Sequence, residues 1–156
     1  MRWAVILWLI GEDPVEVAAH GRDFLNDGVE DVVFCYLRFP SGVVAHMHVS
    51  WLDPHKMRKL TVVGRDKMAV FDDMDPERKV TVYDKGPVQR PATEWQVREG
   101  DIHIPKLARD EPLRRECAHF LSLVSGEGDP LAPALQGLAV VRTLELLQES
   151  LDRAPA

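Results

Sequence analysis

The sequence predicts an α+β fold: a mostly antiparallel, open-faced β-sheet of about six strands, with helices packed on one face and the other face available for oligomerisation. Three observations carry that expectation. Short alternating apolar runs between residues 15 and 84 are separated by tight turns such as Asp53-Pro54, Gly64-Arg65-Asp66-Lys67 and Asp75-Pro76. Connections that short join antiparallel strands, because parallel crossovers need about a dozen residues or more. Toward the end, two stretches repeat apolar residues at helical spacing. With 156 residues, 46% hydrophobic and 28% charged, the chain suffices for one globular domain with a core, and such apolar content excludes a disordered chain.

The elements follow in order. WAVILWLI after Met1-Arg2 reads as a buried helix over 2–10 stopped by Gly11. Eight apolar residues cannot span a bilayer, which needs about 20. Glu12, Asp13, Pro14 and Glu16 stand where a signal peptide's cleavage region would be small and neutral. No Ser, Thr, Asp or Asn caps this helix at its start, which leads us to expect chain upstream of it.

Val15 to His20 reads as a short strand. Residues 31–39 and 43–52 flank Pro40-Ser41-Gly42 as a β-hairpin, and strands follow at 59–63, 68–72 and 79–84. Residues 85–110, with Gly86, Pro87, Pro91, Gly100 and Pro105, read as a surface excursion that permits one short strand at 101–104. Glu111-Pro112 opens a helix whose stripe is Leu113, Cys117, Phe120, Leu121 and Val124. After the loop GEGDP, a last helix from about 134 to 151 buries Leu135, Leu138, Val141, Leu144, Leu147 and Leu151. One domain over 1–156 is expected.

The net charge of −6 gives no electrostatic reason to hold nucleic acid. Cys35 and Cys117 both lie in apolar runs and read as buried free thiols in a reducing cytoplasm.

Alternation sorts the hairpin residues into two faces. Val33, Cys35, Leu37 and Phe39, with Ala45, Met47, Val49 and Trp51, are expected under the helices. The other face carries Phe34, Tyr36, Arg38, Val44, His46 and His48, with Thr61, Val63, Thr81 and Tyr83 continuing it. This aromatic, aliphatic and histidine mixture suits a protein interface, and a symmetric homodimer is its default form.

Chemistry is sparse. His46 and His48, with His20 or His55, have no acidic partner at fixed spacing, so no metal site is assigned. The loop SWLDPHKMRK concentrates Lys56 and Arg58, which suit a phosphate or carboxylate; a solvated turn is the alternative. Gly126 and Gly128 fail as a dinucleotide loop, because the third glycine is absent and a helix precedes them. The Glu12/Asp13 and Asp72/Asp73 pairs read as solvent-facing turns, and Asp101 with His103 has no nucleophile to activate. No catalytic, cofactor-binding or metal residue is assigned.

The order WAVILWLIGEDPVEVAAHGRDF, GVEDVVFCYLRFPSGVVAHMHVSWLDPHKMRKLTVVG, KMAVFDDMDPERKVTVYDKG, GDIHIP and EPLRRECAHFL resembles the C-terminal α/β domain of the Gfo/Idh/MocA oxidoreductases over essentially the whole chain. The WLDP loop and the YDKG stretch are most similar to members acting on nucleotide-linked sugars. The resemblance implies a Rossmann domain carrying the NAD(P) loop and a Glu-Lys-Pro lysine, a catalytic Asp and His on an entering helix, and dimer or tetramer contacts through the sheet. In this sequence the place of the catalytic His falls on Met1 and the next on Arg2, and no Rossmann half is present.

We therefore expect the substrate-side and oligomerisation domain of an NAD(P)-dependent, nucleotide-sugar-type dehydrogenase, inactive alone, with Lys56 and Arg58 contacting the substrate. A free-standing, non-catalytic dimerisation module is the alternative. A separate Rossmann-domain chain is a further conceivable partner; nucleic acid and membrane are not expected.

Overall fold

The computed structural model describes residues 2–89, 95–108, 110–129 and 134–153. The α+β class and the antiparallel pairing are as expected. The described strands number seven, however, and belong to two sheets. The chain also divides into two compact units, Met1–Pro54 with His119–Ala156, and His55–Ala118.

The first unit opens with α1 (Arg2–Ile10). Trp3, Ile6 and Leu7, spaced i, i+3 and i+4, are buried, while Val5, Trp8 and Leu9 are exposed. The helix is therefore buried along one stripe and not all round. Gly11 ends it at φ +73°, donating its N–H to the Leu7 carbonyl at 2.8 Å.

β1 (Glu16–Arg22), β2 (Val32–Arg38) and β3 (Val44–Ser50) form a three-stranded antiparallel sheet in that order. At the β2–β3 turn Phe39 N–H donates to Val43 O at 2.9 Å, and Gly42 sits at φ +82°, a conformation that glycine adopts without Cβ strain. Leu37 and Phe39 are fully enclosed, at 0% exposure, beside buried Cys35 and Ala19.

α3 (Ala134–Arg153) packs on β1, where Ala19 N–H donates to Ser150 Oγ at 2.9 Å, and α1 packs on α3. Two expectations change here. Val49 is exposed, and Trp51 is 83% exposed, because α3 covers β1 and leaves the end of β3 open within this unit. Only Leu147 and Thr143 of α3 are buried; Leu135, Leu138, Val141 and Leu144 are exposed and Leu151 half-buried.

β4 (Lys59–Val63), β5 (Met68–Asp72), β6 (Val80–Gln89) and β7 (Trp95–His103) make the second sheet, in sequence order. Thr61, Val63, Thr81 and Tyr83 therefore belong to a different sheet from Phe34. Trp51 to Arg58, with its Asp53-Pro54 break, forms no strand, so β4 begins a new sheet.

The expected surface excursion after residue 84 is instead a β-hairpin. Beyond Tyr83, β6 pairs among the described residues with β7 alone, and a proline is tolerated where one flank of a strand is open, as at Pro87. Gly86 is needed there because a Cβ would stand 2.5 Å from the Arg65 carbonyl oxygen. Arg98 fastens the hairpin's base, donating to Asp84 Oδ1 at 2.6 Å and Asp66 O at 2.9 Å.

α2 (Pro112–Val124) ends at Gly126, φ +76°, with Glu127 N–H donating to Ser122 O. Its stripe of Leu113, Cys117, Phe120, Leu121 and Val124 is exposed, so Cys117 is a free surface thiol and only Cys35 is buried. Burial pushes the Cys35 thiol's pKa up, which keeps it protonated and unreactive.

Candidate functional site

Strand register gathers the six expected interface residues on one exposed face of the three-stranded sheet. Each row across the sheet takes one residue per strand: Glu16, Arg38 and Val44; Ala18, Tyr36 and His46; His20, Phe34 and His48. Phe34 (57% exposed), Val44 (59%) and Tyr36 (36%) stand open, as do all three histidines. The Phe34 and His48 rings stack with centroids 4.6 Å apart and planes 6° from parallel. Glu16 Oε2 accepts from Arg38 Nε at 2.7 Å, which holds the guanidinium pKa above its ordinary value.

The face thus combines a stacked aromatic pair with a neutralised charge pair at one end. His20 belongs to it as well. The sequence reading set His20 aside as a metal candidate, although the same period-two alternation through Glu16 and Ala18 places it here.

Lys56 and Arg58 lie in the second unit, and both are exposed. Arg58 is tethered: Nη1 lies 3.3 Å from Asp73 Oδ2, and its carbonyl accepts the Asp73 N–H at 3.0 Å. Lys56 has no ion pair among the described residues.

Asp72 and Asp73, expected as solvent-facing carboxylates, anchor a cluster of cations. Lys59 Nζ stands 3.0 Å from Asp72 and Lys79 Nζ 3.4 Å from Asp73. Lys59 lowers the Asp72 pKa, helped by the Met74 N–H; Arg58 and Lys79 lower that of Asp73. The cross-strand register Lys59↔Asp72 creates half of this cluster, and it becomes visible only once the strands are paired.

Beside the cluster lies an open depression of about 260 Å³ on one face of the four-stranded sheet, lined by Arg78, Asp75, Thr81 and Tyr83 among others. Its lining cations Lys59 and Arg78 are matched in number by Asp72 and Asp75, so the lining carries no net charge to attract an anion.

Among the described residues, no group of three or more His, Cys, Asp or Glu is placed to hold a metal ion, and no helix is long and apolar enough to cross a membrane. Gly126 caps α2 and Gly128 follows it, whereas a dinucleotide loop joins a strand to a helix. Gly126 and Gly128 therefore do not form a dinucleotide loop. The place of the family's catalytic His, Met1, lies outside the described residues.

Residues 3–70 match the model of the GFO/IDH/MocA C-terminal domain. Among solved structures, the chain is similar to UDP-N-acetylglucosamine 3-dehydrogenase GnnA from Acidithiobacillus ferrooxidans, at 18% identity and TM-score 0.78, over 96% of this chain and 44% of that one. It is similar to a protein from Magnetospirillum magnetotacticum MS-1 named as an oxidoreductase, at 29% identity and TM-score 0.73, over 94% and 45%. A third is the WlbA dehydrogenase from Bordetella pertussis, solved with NADH and UDP-GlcNAcA, at 17% identity and TM-score 0.65, over 96% and 39%. The first and third likenesses show a shared fold. The chain spans less than half the length of each. No curated protein matches the sequence.

Proposed function

We propose that the chain is a C-terminal-type domain of the Gfo/Idh/MocA family, whose model matches residues 3–70, and on that premise the substrate-side and oligomerisation domain of an NAD(P)-dependent dehydrogenase of nucleotide-linked sugars. The observation that carries the reading is the overlap of 96% of this chain with 44% of a UDP-N-acetylglucosamine 3-dehydrogenase. The NADH and UDP-GlcNAcA in the WlbA structure support the same substrate and cofactor classes.

In this reading, NAD(P) and the hydride step belong to a nucleotide-binding half, in keeping with Gly126 and Gly128 following a helix and not a strand. Lys56 supplies a free ammonium, and Arg58 a tethered guanidinium, for the anionic part of the substrate. The face of Phe34, Tyr36, Arg38, Val44, His46 and His48 joins two copies of the chain.

Titrating the 156-residue chain with NADH tests the division of labour. The reading expects no saturable binding, and micromolar binding contradicts it. A free-standing interaction module is the second reading, favoured by the same exposed aromatic face. Binding of a UDP-sugar that is lost on Lys56→Ala/Arg58→Ala substitution separates the two, because only the first reading requires it.

A further inference from the structure

We propose that self-association through the three-stranded sheet is coupled to proton release, so that mild acid separates the two copies; this rests on the self-association reading above. The sheet places His20, His46 and His48 on one exposed face, in two adjacent rows. The other charged or titratable groups on that face are Glu16 and Arg22 from β1 and Tyr36 and Arg38 from β2; β3 adds only the two histidines. Glu16 is already engaged by Arg38 at 2.7 Å. The packed helices lie behind the opposite face, where Ala19 meets Ser150 and Gly21 approaches Leu151. The face therefore offers no unengaged carboxylate to receive an imidazolium.

The occupant is the second copy of the self-association reading, and the charge balance is consistent with it. With neutral imidazoles, two arginines against one glutamate leave one positive charge on the face of a chain whose net charge is −6. Two chains of net charge −6 repel one another, and this face adds only one like charge per copy to the contact while its imidazoles are neutral. Protonating the three histidines raises the face from one positive charge to four on each copy. The Phe34–His48 stack tolerates a charged ring while water covers it, but a second copy would remove that water. Imidazole is the side chain that ordinarily changes charge between about pH 5 and 8, so association and protonation compete in that window.

Sedimentation velocity of the 156-residue chain at about pH 8 and about pH 5.5 tests this window. The dimer constant is expected to weaken about tenfold or more at the lower pH, with His20→Gln/His46→Gln/His48→Gln removing most of that dependence. Equal dimerisation of the unsubstituted chain at both pH values overturns the proton coupling and leaves the self-association reading intact. A monomer at every pH and concentration overturns that reading, and the coupling with it. Undiminished pH dependence in the triple variant overturns the assignment to these histidines. Should the triple variant fail to fold, His46→Gln alone serves, since His46 is outside the ring stack; it is expected to reduce the dependence by part, and an unchanged slope counts against the proposal.

Discussion

Arg58 and Asp73 hold each other twice, through a guanidinium–carboxylate contact at 3.3 Å and a backbone hydrogen bond at 3.0 Å. The second contact fixes the backbone of Arg58, while its side chain, about half exposed, is free to exchange Asp73 for another anion. In an enzyme containing this domain, Arg58→Ala is expected to raise KM for an anionic substrate about tenfold with kcat little changed. Asp73→Asn removes the tether but keeps the guanidinium, and is expected to move KM less. Steady-state kinetics on both variants check this; equal KM for Arg58→Ala and the unsubstituted enzyme removes Arg58 from substrate contact.

The Asp72 and Asp73 carboxyls are held below their unfolded values by Lys59, Arg58 and Lys79, and Asp23 by the Gly28 N–H. The unfolded chain therefore takes up these protons first as pH falls. The contribution is fully present above about pH 4, and it is lost as pH falls through the depressed folded values. Melting temperatures between about pH 3 and 6 are expected to fall more steeply for the unsubstituted chain than for Asp72→Asn/Asp73→Asn. Parallel acid limbs contradict this.

Asp31 is 5% exposed, and its Oδ2 accepts from both Phe24 N–H and Leu25 N–H at 2.7 Å. Replacing it with Ala leaves both donors without their acceptor. Urea unfolding of Asp31→Ala is expected to show a loss of about 1–3 kcal/mol. Asp31→Asn keeps an acceptor oxygen and is expected to lose less.

Two glycines are expected to respond in opposite directions. Gly137 lies inside α3 with open space where a Cβ would go, so Gly137→Ala is expected to stabilise by about 0.5–1 kcal/mol. Gly86→Ala drives a methyl into the Arg65 carbonyl, and either the β4–β5 turn or β6 must shift. Denaturant midpoints of the two variants on opposite sides of the unsubstituted chain support the account. A neutral Gly86→Ala contradicts it.

Local chemistry made most elements legible in the sequence. Pro40-Ser41-Gly42 announces its hairpin, Gly11 its helix end, and the alternation through Cys35, Leu37 and Phe39 the buried face. The β6–β7 hairpin was obscured because Gly86 and Pro87 signal a loop locally, and only the neighbouring turn at Arg65 and the open flank of β6 make them acceptable in a strand. The exposure of the α2 stripe was equally hidden, since an amphipathic pattern records which side is apolar and not what covers it. Of the candidate surfaces, the exposed face of the three-stranded sheet was readable from period two alone. The Lys59–Asp72 and Arg58–Asp73 contacts were not, because they join residues brought together only by strand pairing.

The most direct test of the central claim is the solution mass of the chain by light scattering, measured beside Phe34→Glu. Phe34 is exposed, so the substitution adds a charge to the middle of the face without opening the core. The account predicts the mass of two chains for the unsubstituted protein at neutral pH and of one chain for Phe34→Glu, with unchanged circular dichroism. A single-chain mass for both, or a two-chain mass that survives Phe34→Glu, contradicts it.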